Sequence, residues 1–180
     1  MSQSLTENRL AQEYFDLIES CAKNKIDLEI PNGSATHALH LLRQFFKYSK
    51  KRVYIFSGLL YDKIFDDSEL IELTKKFLHE AGHQMIIAFS KEEVTPDIIK
   101  SRLFMREIAN DPERKGNVLL YDARFASSIN HFAIMDDKAY RFELDHDKSI
   151  AVANFSDKNT VAKLDAIFDN VIKMATPIPI

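Results

Sequence analysis

Up to Tyr121, short apolar segments alternate with segments of helical periodicity. The apolar segments are residues 53–56, 85–89 and 118–121. An apolar run of four or five residues between helical patterns is typical of a strand that is covered on both faces. Consecutive strands that are joined through helices usually pair in parallel. This alternation therefore predicts an α/β domain with a largely parallel sheet and helices on its faces.

After Tyr121 the alternation stops. Segments 132–135, 139–142 and 150–153 all have strand-like composition, and the chain between them is too short for helices. The first two are separated only by the turn Asp136-Asp137-Lys138, so this part of the sheet should be antiparallel or mixed. A final amphipathic helix is predicted over residues 157–174. The complete sheet should therefore be mixed and flanked by helices.

The N-terminal segment predicts one amphipathic helix over residues 5–23. Residues 26–30 then alternate apolar and acidic side chains as a half-buried strand does, and Pro31-Asn32-Gly33 should end that strand as a turn. Ser34 is the expected cap of the next helix. A chain of 180 residues fits one domain. We expect residues 1–33 to form a helix and short strand packed on an α/β domain of residues 34–180.

Composition narrows the function classes. The formal net charge of −3 gives no global attraction to nucleic acid or to anionic membranes, so any phosphate-binding surface should be local. Only 4 glycines are present, which argues against glycine-rich phosphate loops. The single cysteine, Cys21, predicts a buried structural thiol in a reducing compartment. With no leader-like segment and no apolar run that could span a bilayer, we expect a cytoplasmic protein that needs no cofactor and inserts into no membrane.

Two stretches near the C-terminus carry a resemblance to a known family. They are His131-Phe-Ala-Ile-Met-Asp-Asp-Lys-Ala-Tyr-Arg-Phe-Glu and Ala151-Val-Ala-Asn-Phe-Ser. In their order of strand, tight turn and second strand they resemble the signature region of the phospholipase D superfamily. That family has a His-x-Lys-x-x-x-x-Asp motif followed by a Gly-Ser-x-Asn segment. The strand after Arg52 is similar to the opening strand of such domains, so the resemblance implies a single phospholipase D-like domain with an N-terminal helix.

The motif itself is degenerate. If His131 is the motif histidine, Ala133 stands at the lysine position and Lys138 at the aspartate position. If Asp136 is the motif aspartate instead, His131 falls at the lysine position. The family mechanism implies a histidine nucleophile and lysines that stabilise the transferring phosphoryl group, so loss of the lysine predicts loss of catalysis. A domain with a single motif also implies a homodimer that pairs two sites.

The resemblance and the local sequence together select candidate site residues. His131 is the only candidate nucleophile, and it is catalytic only if the protein is an enzyme. Ser57, Arg141, Glu143 and Asn154 are candidate ligand-binding residues, with Arg141 as a substitute for the missing lysine. The alternatives are an exposed Arg141–Glu143 ion pair, and Asn154 bracing a turn. The basic cluster, defined as Lys47, Lys50, Lys51 and Arg52, is the candidate nucleic-acid surface, or else a solvated helix end.

Two histidine pairs, His37 with His40 and His79 with His83, have helical spacing but lack a recognised ligand framework, so we predict no metal. The sequence supports two functional hypotheses. The first is a non-catalytic binding or assembly module for a phosphate-containing or nucleic-acid ligand, present as a homodimer or as a subunit of a larger assembly. The alternative is a divergent homodimeric phosphodiesterase or nuclease that uses His131 as nucleophile.

Overall fold

The fold is described from a computed structural model, which describes residues 2–91, 94–114, 117–145 and 150–179. The strands within these ranges are β1 (Ile30–Asn32), β2 (Arg52–Ser57), β3 (Gln84–Phe89), β4 (Asn117–Asp122), β5 (Phe132–Met135), β6 (Ala139–Asp145), β7 (Ile150–Asn154) and β8 (Thr176–Ile178). The helices are α1 (Ser2–Asn24), α2 (Ala35–Tyr48), α3 (Asp62–Phe65), α4 (Ser68–His79), α5 (Pro96–Ser101), α6 (Leu103–Ala109) and α7 (Lys158–Met174).

All eight of these strands form one sheet in the order β1-β7-β6-β5-β2-β3-β4-β8. The central strands β2, β3 and β4 are parallel, and every other pairing is antiparallel. This arrangement confirms the mixed α/β sheet that the sequence predicts, with its parallel part before Tyr121 and its antiparallel part after it. Both edge strands are three residues long, and each contains a proline, Pro31 in β1 and Pro177 in β8.

The two faces of the sheet are covered by different helices. On one face, Ile18 of α1, Leu41 of α2 and Leu70 of α4 join the larger apolar core. On the other face, α7 packs Leu164 and Phe168 against the sheet in a second core. Burial of these side chains is the main favourable free energy of the fold. None of the helices in the described ranges combines the length and the apolar character needed to cross a bilayer.

The start of the first strand differs from the prediction. Lys25 has a φ of 54°, and the Ile26 amide donates to the carbonyl of Cys21, so the chain reverses at the end of α1. Ile26 and Leu28 are exposed, whereas Ile30 and Asn32 are almost fully buried. The strand therefore begins at Ile30 and includes Pro31 and Asn32, two of the three residues that the sequence assigned to a turn. Pairing with β7 decides this register, and the sequence gives no local sign of it.

Two other elements depart from the sequence pattern. The helical segment between β3 and β4 is divided at Arg102, whose ψ of 132° separates α5 from α6. The C-terminal residues 176–178 pair with β4 as an additional strand.

Cys21 is fully buried as predicted, and burial raises the pKa of its thiol.

Helices α1 and α2 meet through a cluster of aromatic rings. The ring of His37 lies 4.1 Å from that of Tyr14, and the ring of His40 stacks on Phe15 at 4.5 Å. Burial lowers the pKa of both histidines. The folded state therefore favours the neutral rings, and the N-terminal helix is held on the domain by groups that resist protonation.

Acid should weaken the fold at this interface. A histidine titrates near a pH of about 6.5 in the unfolded chain. Because the pKa values of His37 and His40 are lowered in the folded chain, the unfolded state binds more protons than the folded state when the pH falls through this range. We expect the free energy of unfolding to decrease from pH 7.5 to pH 5, as measured by urea denaturation. A His37→Phe/His40→Phe variant should lose most of this dependence, and a His79→Gln variant should keep it; equal slopes in all three proteins would contradict the explanation.

Candidate functional site

A cleft of 630 Å³ opens where the carboxyl end of β2 meets the beginning of β5. Its walls come from the amino end of α2, the segment that leads into α3, and the antiparallel strands β5 and β6. Four residues predicted from the sequence line it together: Ser57, His131, Arg141 and Glu143. The carboxyl edge of parallel strands is where open α/β sheets commonly bind ligands, so strand polarity explains the position of this cleft.

A chain of polar contacts runs across the floor of the cleft. The carboxylate of Glu143 lies 3.0 Å from Nδ1 of His131 and 3.0 Å from Nη1 of Arg141. The Arg141 Nε donates to the side-chain oxygen of Asn32 over 2.7 Å. The His131, Glu143 and Arg141 side chains are only 17%, 16% and 13% exposed. The Arg141–Glu143 pair is therefore mostly buried, which corrects the alternative of an exposed ion pair.

The contact with Glu143 orients the imidazole of His131. A carboxylate can only accept hydrogen bonds, so the proton in this contact belongs to Nδ1. The second ring nitrogen, Nε2, lies near Gly58: a Cβ atom at Gly58 would be 3.2 Å from it and 3.1 Å from Cγ of Lys91. The absence of a Cβ at Gly58 thus lets the His131 ring and the aliphatic stem of Lys91 both pack closely against the backbone.

The structure places Asn154 outside this cleft. Asn154 pairs with Tyr140 in the β6–β7 ladder, whereas Glu143 pairs with Ala151, so Asn154 lies toward the opposite end of the sheet from His131. Its amide donates to Asp27 over 2.8 Å, and its side-chain oxygen accepts from the Ser156 amide. These are the contacts of a residue that braces a turn.

The basic cluster also lies at the far end of the sheet. Arg52 begins β2 and Ser57 ends it, a separation of roughly 17 Å at the rise of a strand. Lys47 contacts Glu19, and Arg52 contacts Asp165 over 2.5 Å. The backbone amides of Lys50 and Lys51 donate to Asp136. The cluster is therefore a separate surface that contributes no side chain to the cleft.

Three residues of the site were not predicted. Asn32 was assigned to a turn, and its burial follows from the unexpected register of β1. Arg102 lies in the interruption between α5 and α6, lines the cleft and contacts Asp62. Lys91 follows the carboxyl end of β3, next to the end of β2. A basic residue two positions after the end of a buried parallel strand was the signal in the sequence that could have identified it.

The histidine pairs do not form a metal framework. His37 and His40 are engaged with rings of α1, His79 contacts Asp111 over 2.8 Å, and His83 contacts the carbonyl of Phe77. Within the described part of the chain, no three His, Cys, Asp or Glu side chains are grouped so that they could hold a metal ion.

The architecture defines a mixed α/β domain with one cleft built around a histidine, and comparison with solved structures shows its fold. Nuc from Salmonella typhimurium, a phospholipase D family member, matches with a TM-score of 0.57 at 12% identity over 84% of this chain and 98% of that one. NucT from Helicobacter pylori matches with a TM-score of 0.55 at 11% identity over 84% and 99%. No protein-family model and no curated protein matches the sequence.

A third structure, the archaeal chromatin protein TrmBL2, for which a novel mode of DNA binding is described, matches with a TM-score of 0.54 at 12% identity. The match covers 98% of this chain and 65% of TrmBL2, so the chain spans slightly less than two thirds of that protein. Together these similarities confirm that the chain has the phospholipase D-like fold. Identities of 11 and 12% show the fold alone.

The sheet register places Arg141 directly opposite Ala133. With His131 as the motif histidine, Ala133 stands at the lysine position and pairs directly with Arg141 on the neighbouring strand. Directly opposed residues of an antiparallel pair project from the same face. Arg141 therefore projects beside the small side chain of Ala133 and supplies a cationic group on the face where a lysine would lie.

Proposed function

We propose that the chain is a non-catalytic, phospholipase D-like binding module whose cleft holds a phosphate group of its ligand. The observation that carries this proposal is that His131, Lys91 and Arg141 line one cleft. Imidazole, ammonium and guanidinium groups are the side chains that recognise phosphate oxygens.

The ligand class follows from phosphate recognition and from one of the structural neighbours. TrmBL2 has this fold and binds DNA, which supports nucleic acid among the phosphate-containing ligands to be tested. The basic cluster at the other end of β2 would serve as a second, separate surface for such a ligand. A homodimer, or a place in a larger assembly, belongs to the same proposal, and the mass of the protein in solution tests it.

The contact between His131 and Glu143 favours one alternative, a divergent homodimeric phosphodiesterase or nuclease. With Nδ1 held by the carboxylate, Nε2 could attack phosphorus, form a phosphohistidine and break the bond to the leaving oxygen. That oxygen then needs a proton. Among the described residues that line the cleft, His131 is the only histidine, so the proton donor would have to come from a second copy of the chain.

Titration with inorganic phosphate tests the module. We expect Lys91→Ala and His131→Ala each to weaken the affinity for phosphate by about tenfold, because each removes a charge-assisted hydrogen bond, which His131 donates from Nε2 when both ring nitrogens carry protons. Lys163→Ala should leave the affinity unchanged, since that exposed lysine lies on α7, on the other face of the sheet. Isothermal titration calorimetry measures all four proteins. If all four proteins bind phosphate with the same affinity, the cleft is not the phosphate-binding site.

Hydrolysis assays separate the module from the alternative. The wild-type protein is incubated without metal with bis(p-nitrophenyl) phosphate and with single- and double-stranded DNA. We expect no turnover above the level of His131→Ala. If the wild-type protein hydrolyses a substrate and His131→Ala does not, the non-catalytic module is wrong and the phosphodiesterase alternative is supported.

A further inference from the structure

Two cavities of unlike size share residues at the proposed phosphate site. One is the 630 Å³ cleft, and the other is a cavity of 210 Å³. Lys91, His131 and Glu143 line both of them. A group bound at Lys91 and His131 would therefore have two spaces beside it, and the size of each space determines which substituent it accepts.

The larger space is lined mainly by apolar side chains. They come from α2, from the segment before α3 and from α3 itself: Ala38, Leu42, Leu59, Leu60, Ile64 and Phe65. Tyr61, which is 52% exposed, adds an aromatic ring to the same lining. The volume falls in the range of small-molecule sites, roughly 300 to 1,000 Å³. Apolar surface of a ligand would be removed from water here.

The smaller space cannot hold a bulky substituent. Ser90, Ser127, Ser128, Ile129 and Asn130 line it together with the three shared residues. Its volume of 210 Å³ lies below the range of small-molecule sites, roughly 300 to 1,000 Å³. It can take an unesterified phosphate oxygen or a small substituent, so a bulky one belongs in the larger space.

The charges in the cleft fit a single phosphate group better than a run of them. Three basic side chains line the cleft, Lys91, Arg102 and Arg141, together with two acidic ones, Asp62 and Glu143. Arg102 contacts Asp62, and Arg141 contacts Glu143. Polynucleotides are held through several successive phosphate contacts. The lysines that could supply such contacts lie in the basic cluster, at the far end of β2.

We infer that the cleft selects small phosphate esters with one bulky apolar substituent, which lies against α3 while the phosphate group sits between Lys91 and His131. This inference rests on the proposed function and specifies its ligand. It excludes polynucleotides as the preferred occupants of the cleft. The geometry assigns selectivity to Ile64 and Tyr61, which line the larger of the two spaces and not the smaller one.

The experiment compares inorganic phosphate, glycerol phosphate and phenyl phosphate as probes. We expect the wild-type protein to bind phenyl phosphate at least about tenfold more tightly than inorganic phosphate, because the ring is buried. Ile64→Trp fills the larger space and should abolish this advantage while leaving the affinity for inorganic phosphate unchanged. Ile167→Trp is the matched control, since Ile167 lies on α7 on the other face of the sheet and is 38% exposed.

Each outcome has one meaning. Equal affinities of phenyl phosphate and inorganic phosphate would overturn the inference and leave the phosphate site intact. No binding of any probe would overturn the proposed function as well. If Ile64→Trp fails to fold by circular dichroism, Tyr61→Ser replaces it and should reduce only the phenyl phosphate affinity, by several-fold. A single-stranded oligonucleotide that displaces phenyl phosphate more effectively as its length increases would assign the cleft to a polymer instead.

Discussion

Replacing Asp136 with alanine should lower the free energy of unfolding by about 3 kcal/mol, one of the two largest effects we expect in this protein. The Asp136 carboxylate accepts hydrogen bonds from the Ser49 hydroxyl and from three successive backbone amides, those of Lys50, Lys51 and Arg52. It thereby connects the turn after β5 to the beginning of β2. Alanine would leave these donors without their acceptor, and it would also have to adopt the φ of 54° found at this position.

Two substitutions separate these contributions. Asp136→Asn keeps one side-chain oxygen and tolerates the left-handed backbone, so we expect a loss of about 1 kcal/mol. Asp137→Ala changes the next, exposed residue and should cost less than about 0.5 kcal/mol. Urea denaturation followed by circular dichroism measures all three. A stability for Asp136→Ala within that smaller range would show that the carboxylate does not hold β2 in place.

Replacing Arg141 with alanine should have a similarly large effect and should change binding as well. Arg141 contacts Glu143 and Asn32 in a region where all three side chains are largely buried. Removing one partner of a buried ion pair typically costs about 3 kcal/mol, since the remaining charge loses its compensation. Because Glu143 also orients His131, we expect the affinity for inorganic phosphate to fall by at least about tenfold.

The Arg141→Lys variant tests whether the hydrogen bonds of Arg141 to Asn32 and Glu143 matter beyond its positive charge. The planar guanidinium of Arg141 reaches Asn32 through Nε and Glu143 through Nη1, and a lysine ammonium cannot reproduce this geometry. Arg141→Lys should therefore recover only part of the stability and part of the affinity. A double-mutant cycle of Arg141→Ala with Glu143→Ala measures the coupling between the two residues. Additive effects on stability would contradict the network.

The alternation of helices and strands was the most informative part of the sequence. Three buried strands separated by helices fixed the parallel centre of the sheet, and the short turn at Asp136 fixed the antiparallel part. The sequence did not reveal where β1 begins, because pairing with β7 decides that register and overrides the alternation at residues 26–30. Nor did it reveal β8, since a proline in so short a segment argues against a strand.

The site was partly visible in the sequence for a related reason. Alternation along β6 already placed Arg141 and Glu143 on one face, and His131 immediately precedes β5, the strand that pairs with β6. Asn32 comes from a strand more than 90 residues earlier in the chain, and only the order of strands in the sheet brings it to Arg141. Asn154 has the right sequence neighbours, but the direction of β7 places it toward the wrong end of the sheet for the cleft. A local sequence pattern indicates the face of the sheet on which a side chain lies, but it does not indicate the end of the sheet at which that side chain lies.

The proline in β1 limits how this protein can associate with itself. A free strand edge recruits another chain through its outward N–H and C=O groups. Within a strand, the N–H and C=O of one residue point to the same side. Pro31 has no N–H, and its carbonyl accepts a hydrogen bond from the Tyr14 hydroxyl over 2.6 Å, so helix α1 occupies the outer side of that edge. Continuation of the sheet into a neighbouring molecule is therefore obstructed at Pro31, which protects the domain against amyloid-like stacking on this side.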